Sequence, residues 1–184
     1  LWNDTESAPQ ASAMVARLGA AEWARACGSV PVASFTITKL AWVAEHEPEL
    51  LDRIAHAMLP HDYLTFRLTG RAVTDRGDAS GTGWWSPTTG TYRADLLEAA
   101  GLPASLIDRF PQILQPLESA GEVGDNDLGL PGSAIVAPGT GDNMAGALGI
   151  GLGIGDTAMS IGTSGTAYAV SSTPTNDASG AVAG

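Results

Sequence analysis

One acidic residue and one glycine turn have the residue types and the spacing that phosphoryl transfer requires. The acid is Asp142, which follows the glycine-containing residues 138–141 and opens a predicted helix of small residues. The turn covers residues 162–165, Gly-Thr-Ser-Gly, and lies between two predicted strands. A carboxylate can orient and deprotonate an attacking hydroxyl, and a glycine turn can present backbone amides to phosphate oxygens. The pair predicts a site where a hydroxyl acceptor meets a phosphate donor.

Asp142 has two interpretations that the residues alone leave open. At the start of a helix it could be an ordinary N-cap, because Asp is among the favoured capping residues. Alternatively it is a general base, since a loose phosphoryl-transfer transition state asks little of a base beyond its position. Asn143 offers a hydrogen-bond donor and an acceptor to a polyol. We assign Asp142 as a candidate catalytic and substrate-binding residue, and Asn143 as a candidate substrate-binding residue.

The glycine turn also has two interpretations. Gly162, Thr163 and Ser164 are candidate ligands for nucleotide phosphates, through amides and hydroxyls, but many hairpins turn on Gly and Ser without binding anything. The turn is not a Walker A loop, because the GxxxxGK[ST] pattern does not occur in the sequence. Residues 149–153 are not a Rossmann fingerprint, because their glycines close a helix where that fingerprint would open one.

Other catalytic chemistries find little support in the sequence. The histidines, His46, His56 and His61, have no spacing that suggests a metal site, and we expect each to be a surface or half-buried side chain. Ser80 and Ser164 lack a nucleophile-elbow context, so no hydrolase triad is predicted. We therefore predict no bound metal among these residues.

Composition narrows the possible partners and the compartment. The 184 residues carry a formal net charge of −11, which opposes affinity for nucleic acid and anionic membranes. Cys27 is a single cysteine and cannot form an internal disulfide, so a reducing cytoplasm fits best. The apolar stretches are too short and too often interrupted to span a bilayer. The sequence thus predicts a cytoplasmic protein that binds neither nucleic acid nor membranes.

The elements that must position these residues alternate between helix and strand. Predicted helices cover residues 5–18, with Asp4 as N-cap, then a segment ending at Cys27, one starting at Thr38, 61–68, 95–100, 104–109 and 142–150. Predicted extended segments cover residues 30–35, 57–59, 120–124, 133–137, 157–161 and 166–171. The alternation favours an α/β architecture. Trp84 and Trp85 are predicted to be structural, with stacking over a sugar as the alternative.

Seven short motifs along the chain resemble those of the FGGY carbohydrate kinases, in the same order and at about the same spacing. They are residues 1–4 (Leu-Trp-Asn-Asp), 39–48 (Lys-Leu-Ala-Trp-Val and His-Glu-Pro), 59–64 (Leu-Pro-His-Asp-Tyr-Leu), 68–70 (Leu-Thr-Gly), 74–82 (Thr-Asp and Asp-Ala-Ser-Gly-Thr), 141–143 (Gly-Asp-Asn) and 161–165 (Ile-Gly-Thr-Ser-Gly). Each motif is weak alone, but seven in register over nearly the whole chain are strong.

The resemblance implies an α/β fold of the ribonuclease H-like, actin-type ATPase class, of which this chain is a part. It implies that residues 1–152 are the later part of an N-terminal sugar-binding domain, and that residues 153–184 are the first strands of a C-terminal nucleotide-binding domain. The glycine-rich residues 149–155 are also the best boundary on composition, because backbone freedom is concentrated there. Two such domains would face each other across a cleft.

The resemblance also implies the chemistry. Asp142 matches the family's general base, Asn143 matches a neighbour that contacts the sugar, and Gly162 and Thr163 match the turn near the ATP phosphates. The Asp-Asn pair resembles members that act on xylulose, whereas glycerol kinases have Asp-Gln. The implied reaction is phosphorylation of D-xylulose to D-xylulose 5-phosphate by ATP and Mg²⁺, with a homodimer left open.

Two departures from the family pattern qualify this expectation. Glu6 stands where relatives have an arginine two residues after the aspartate of the first motif. In addition, the family's first phosphate hairpin and most of its second domain have no counterpart in these 184 residues. We therefore expect this chain alone to be inactive. Another sugar or polyol kinase, or a non-catalytic sugar-binding module on the same scaffold, remains the alternative.

Overall fold

The structure, a computed structural model, describes residues 3–184, so Leu1 and Trp2 of the first motif lie outside the described residues. The α-helices are α1 (Ala8–Leu18), α2 (Ala20–Cys27), α3 (Thr36–His46), α4 (Pro48–Leu51), α5 (Pro60–Thr69), α6 (Arg76–Ser80), α7 (Ala94–Ala99) and α8 (Asp142–Gly149). A 3₁₀ helix covers Ala104–Arg109. The strands are β1 (Val73–Thr74), β2 (Trp85–Ser86), β3 (Thr91–Tyr92), β4 (Gln112–Ile113), β5 (Gly121–Glu122), β6 (Ile135–Val136), β7 (Thr157–Ile161) and β8 (Gly165–Ala169).

Glycines end two of the helices where the sequence predicts it. Gly28 after α2 and Gly70 after α5 adopt the left-handed conformation, with φ of 79° and 71°. Each donates its amide to a carbonyl in the last turn of the helix it closes. Glycine lacks the Cβ that makes this conformation costly, so the residue type fixes the end of the helix.

The first helix begins later than predicted. The N-cap is Ser7 rather than Asp4, and Pro9 occupies the first turn, where its missing amide costs nothing. Asp4 instead accepts a hydrogen bond from the amide of Glu6 at 2.9 Å in a local turn. Similarly, α3 begins at Thr36 and not after Thr38, whose hydroxyl donates to the carbonyl of Phe35 at 2.8 Å.

Two predicted extended segments form no strand. Residues 30–35 make a turn in which the amide of Phe35 donates to the carbonyl of Val32 at 2.9 Å. Residues 57–59 are irregular, and the amide of Ala57 donates to the carbonyl of Arg109 at 3.0 Å without a partner ladder. Apolar side chains pack here from a loop, so a short apolar run was insufficient evidence for a strand.

The core lies between the first three helices and the segment of residues 84–110. Its centre includes Trp23, Ile37 and Leu97, each with 0% exposure. Trp84 stacks on Phe110, with ring centroids 4.2 Å apart and planes 14° from parallel. Trp84 and Trp85 are each 2% exposed, which confirms their structural interpretation.

The strands pair in four two-stranded sheets. β1 and β4 are parallel, with Val73 beside Gln112, while β2–β3, β5–β6 and β7–β8 are antiparallel. The antiparallel pairing of 121–122 with 135–136 and of 157–161 with 165–169 confirms four predicted strands, although the first two are shorter than expected. β1 leads directly into Asp75, so this sheet fixes the start of α6.

The last part of the chain is open to solvent. From residue 139 to residue 184 no side chain is fully buried, and Leu148, Ile154 and Ile161 are at least 74% exposed. The small residues of α8 allow a close approach at Gly146, where a Cβ would lie 3.0 Å from the Tyr168 hydroxyl of β8. Along residues 3–184, no helix combines the length and apolar character needed to cross a bilayer.

Candidate active site

Asp142 is the first residue of α8, and its carboxylate is exposed. The N-cap is Gly141, so the capping interpretation of Asp142 is wrong, although the predicted start of the helix is confirmed. The backbone amide of Asn143 donates to Oδ1 of Asp142 at 2.8 Å. This bond and the positive end of the helix dipole orient a carboxylate that solvent and small solutes can reach.

The loop before Asp142 packs on a neighbouring part of the fold. Gly139 has φ of 84°, and a Cβ on it would lie 3.7 Å from Cδ2 of His61. A Cβ on Gly141 would lie 3.0 Å from Oδ1 of Asp78 and 2.7 Å from Cε of Met144. Gly141 therefore lets the loop lie close against Asp78, and Gly139 supplies the left-handed backbone beside His61.

His61 and three aspartates form a cluster directly behind this loop. Nε2 of His61 lies 3.1 Å from Oδ1 of Asp62 and 3.1 Å from Oδ2 of Asp75. Nδ1 of His61 lies 3.0 Å from Oδ2 of Asp78. The carboxylates of Asp62 and Asp75 are 2% and 5% exposed, whereas the side chain of His61 is 32% exposed. We call His61, Asp62, Asp75 and Asp78 the His61 cluster.

Local structure holds the carboxylates in place. The amide of Leu59 donates to Oδ2 of Asp62 at 2.9 Å, so Asp62 serves the first turn of α5 as well as His61. Asp75 is the N-cap of α6 and accepts from the amide of Asp78 at 3.0 Å. Both carboxylates therefore have one oxygen bound to backbone and the other facing His61.

The charges in the cluster shift one another's pKa values. The close contact with the Asp75 carboxylate and the charges of Asp62 and Asp78 raise the pKa of His61 against the opposing effect of burial. Burial acts to raise the pKa of Asp75, but the His61 contact and backbone hydrogen bonds outweigh it and lower that pKa. Burial raises the pKa of Asp62, opposed by hydrogen bonds. The surrounding carboxylates therefore favour the protonated form of His61, and His61 favours the ionised form of Asp75.

Asp142 acts on this cluster through its charge. Burial raises the pKa of Asp78, the negative charges of Asp75 and Asp142 raise it further, and His61 acts in the opposite direction. Asp78 is thus the member of the His61 cluster whose pKa responds to the charge of the candidate base.

The sequence did not predict the His61 cluster. His61 is half-buried, and His46 and His56 are exposed, as expected for each. What was missed is that the 59–64 and 74–82 motifs meet, because the contact depends on the parallel pairing of β1 and the packing of α5 against it. The signal was the presence of His-Asp in one motif and two aspartates three residues apart in the other.

The second group of candidate residues forms an exposed hairpin turn. Ile161 pairs with Gly165, and the amide of Gly162 donates to the carbonyl of Ser164 at 2.8 Å. Thr163 and Ser164 are exposed. Within residues 3–184 no hydrogen bond joins Asp142 or Asn143 to this turn, and α8 meets the hairpin at Gly146 and Tyr168.

Comparison with known proteins relates this arrangement to the sugar kinases of the actin-like ATPase fold. A xylulose kinase structure from Bifidobacterium adolescentis superposes with a TM-score of 0.86 and 39% identity, covering 100% of this chain and 44% of that one. Residues 1–149 match the model for the N-terminal domain of the FGGY family of carbohydrate kinases. The chain belongs to this family and has part of its actin-like, ribonuclease H-type α/β fold.

Two curated relatives are similar over the whole chain. The xylulose kinase of Streptomyces coelicolor is 54% identical over 187 residues, and that of Streptomyces rubiginosus is 52% identical over 186 residues. Each alignment covers 100% of this chain and 38% of the relative. The chain therefore spans little more than a third of the length of these relatives.

Proposed function

We propose that this chain is the sugar-side part of an ATP-dependent kinase that converts D-xylulose to D-xylulose 5-phosphate. The observation that carries the proposal is the identity of 54% and 52% to two xylulose kinases over the whole chain. The exposed acid at the start of α8 supports it, because a sugar hydroxyl can approach that carboxylate.

Asp142 acts as the general base in this proposal. Its carboxylate accepts a hydrogen bond from the 5-hydroxyl of the sugar, orients the oxygen for attack and takes the proton as the bond to phosphorus forms. The amide of Asn143 holds the carboxylate by its Oδ1 atom, which leaves Oδ2 for the substrate. The Asn143 carboxamide pairs with further sugar hydroxyls.

MgATP is the co-substrate and supplies the phosphoryl group when bound. The exposed hydroxyls of Thr163 and Ser164 suit phosphate oxygens, so residues 162–164 are the proposed phosphate contacts. The amide of Gly162 donates to a carbonyl inside the turn and is not free for a phosphate oxygen. Gly162 instead contributes its lack of a side chain, which lets a phosphate come close to the backbone.

The remaining proposals concern organisation. We place the domain boundary at residues 152 and 153, which is supported by the match of the N-terminal family model to residues 1–149 and by the end of α8 at Gly149. We expect the 184-residue chain alone to be inactive, because the phosphate turn is its only proposed nucleotide contact. The acidic composition and single cysteine favour the cytoplasm.

A hybrid kinase tests the proposal. In it, this chain replaces the matching segment of the Streptomyces coelicolor xylulose kinase. We expect phosphorylation of D-xylulose in preference to glycerol, gluconate and other ketoses. Asp142→Asn should lower kcat by about 10²- to 10⁴-fold with little change in xylulose binding. The matched control is Asp127→Asn, an exposed acid in a loop. Near-normal turnover by Asp142→Asn removes the base assignment, and preference for another sugar removes the substrate assignment.

Glu6 is the observation that favours the alternative functions, another sugar kinase or a non-catalytic sugar-binding module. Its side chain is exposed, and it reverses a charge that the family pattern places near the sugar side. A different sugar kinase, or a non-catalytic sugar-binding module, follows if that charge repels D-xylulose. In the hybrid kinase, Glu6→Arg then lowers the KM for D-xylulose strongly or restores turnover. If Glu6→Arg leaves both constants unchanged, the alternative loses this support.

A further inference from the structure

The His61 cluster connects three separate parts of the chain at the loop that carries Asp142. His61 and Asp62 belong to the first turn of α5, Asp75 and Asp78 belong to α6 and its cap, and residues 138–141 lie against both. Each ring nitrogen of His61 has a carboxylate oxygen within 3.1 Å. Among the described residues these contacts are ion-pair distances, and Nε2 of His61 and the facing oxygens of Asp62 and Asp75 have no hydrogen bond of good geometry. Carboxylates on both sides of the ring favour its charged form.

The distances around His61 are those of an ion-pair cluster. His61, Asp75 and Asp78 also offer ligand atoms within 4.8 Å of one another, but Asp75 faces Nε2 and Asp78 faces Nδ1. One of the two carboxylates would have to turn before a single ion on His61 could bind both. The buried carboxylates of Asp62 and Asp75 need a nearby positive charge, because unpaired buried anions are costly. The imidazolium of His61 provides that charge.

The loop of residues 138–141 passes close to this cluster at two points. A Cβ at Gly139 would lie in ordinary contact with Cδ2 of His61 at 3.7 Å, and one at Gly141 would approach Oδ1 of Asp78 to 3.0 Å. The spacing is tightest at Asp78, so a shift of Asp78 toward Gly141 would displace the loop. Asp142 is the residue after Gly141, so a displacement of Gly141 also moves the carboxylate of Asp142.

We propose that His61 is a positioning residue, which with Asp75 and Asp78 holds the loop before Asp142 and so places the base for phosphoryl transfer. This inference rests on the proposed function of Asp142. His61 touches neither the reacting hydroxyl nor the phosphate in this proposal, and acts through Asp78 and the loop.

The charged groups around His61 determine at which pH the cluster stops holding the loop of residues 138–141. The groups that face it are Asp62 from its own helix, and Asp75 and Asp78 from the β1–α6 segment. Asp142 lies beyond Asp78, and residues 138–141 contribute no titratable side chain. All of these groups are acids, so they favour protonated His61. When His61 loses its proton, the carboxylates of Asp75 and Asp78 lose the positive charge between them, and the loop loses one of its supports.

The first test uses the hybrid kinase, with His61→Gln as the neutral variant and His61→Lys as the variant that keeps a positive charge. We expect His61→Gln to lower kcat about 10- to 100-fold while the KM for MgATP changes less than about threefold, because a small displacement of a base is costly. His61→Lys should recover most of this loss. His56→Gln, at an exposed histidine outside the cluster, should match the parent.

The pH dependence distinguishes positioning from a merely structural role. In the parent, kcat should fall as pH rises through the pKa of His61. In His61→Lys this fall should move to higher pH, because the reference pKa of lysine is about 10.4 and that of histidine is about 6.5. Identical alkaline limbs in the parent and in His61→Lys overturn the proposal. A kcat within twofold of the parent for His61→Gln also overturns it.

A second measurement separates this inference from the proposed function. In the 184-residue chain uniformly labelled with ¹⁵N, the ring signal that disappears in His61→Gln identifies His61, and at pH 7 both of its ring nitrogens should be protonated. The same variant should shift the amides of residues 139–143. A neutral ring, or unchanged amides, overturns the inference even if the hybrid kinase is inactive. Full turnover of Asp142→Asn, by contrast, overturns the proposed function and leaves this measurement to decide whether the cluster holds the loop.

Discussion

Gly77 faces Thr140 so closely that a Cβ on Gly77 would lie 2.7 Å from Oγ1 of Thr140. The same Cβ would lie 2.9 Å from Oδ1 of Asp75 and 2.6 Å from Cε of Met144. Real Cβ atoms do not approach other heavy atoms this closely. A side chain at position 77 must therefore displace the side chains of Thr140 and Met144 on either side of Asp142, and the capping carboxylate of Asp75.

We expect Gly77→Ala to lower kcat of the hybrid kinase about 10- to 100-fold, since the base is displaced while the core is untouched. The matched control is Gly81→Ala at the end of the same helix, where a Cβ lies 3.6 Å from its nearest neighbour, the carbonyl oxygen of Asp78. Steady-state kinetics on D-xylulose measure both variants. Equal kcat values for the two would show that the loop tolerates displacement.

The His61 cluster should make the stability of the chain depend on pH above neutrality. The pKa of His61 is raised in the folded chain, so its stabilisation is fully present below its unfolded pKa of about 6.5 and is lost as pH rises through the folded value. The pKa of Asp75 is lowered, so its contribution is present above an unfolded pKa of about 3.9 and is lost as pH falls.

His61→Gln should therefore destabilise the chain most near pH 6, by about 1–3 kcal/mol, because it leaves buried carboxylates without their charged donor. The difference from the parent should shrink by pH 9. Urea unfolding at four pH values between 6 and 9 measures it. A difference that is constant over this range contradicts the assignment of a charged His61.

Local signals in the sequence were sufficient for much of the helical framework. Gly28 and Gly70 end helices because of a backbone conformation that the residue type itself favours, and α8 begins at Asp142 as predicted. The hairpin of residues 157–169 was also predictable, since alternation and a glycine turn are local features. These elements do not depend on distant partners.

The failures occurred where distant contacts decide the structure. Residues 57–59 are apolar, but the amide of Ala57 donates to the carbonyl of Arg109 without a partner ladder, and so they form a loop. The His61 cluster likewise depends on residues 61 and 75 meeting through the packing of α5 on β1. The motifs of residues 59–64 and 74–82 contain the residues of the cluster, but only the fold shows that their side chains face each other.

The stacked pair Trp84 and Phe110 should account for much of the stability of the core. Phe110 is 9% exposed, and it contacts both Trp84 and Tyr92, whose ring centroid lies 5.3 Å away. Phe110→Ala should lower the free energy of unfolding by about 3–5 kcal/mol, because it leaves a cavity beside the indole. Leu117→Ala, at a fully exposed side chain, should change it by less than about 0.5 kcal/mol. Similar values for the two variants would contradict the described core.

Gly70 isolates the energetic cost of a left-handed helix end. Its φ is 71°, and a Cβ at this position would meet no atom within 4 Å, so Gly70→Ala adds backbone strain without a steric clash. We expect a loss of about 1–2 kcal/mol in the free energy of unfolding. Gly149→Ala also meets no atom within 4 Å, but it lies inside α8 without a positive φ and should be neutral or stabilising by up to about 1 kcal/mol. Urea unfolding of both variants measures the contrast, and a neutral Gly70→Ala would show that the end of α5 is not left-handed in solution.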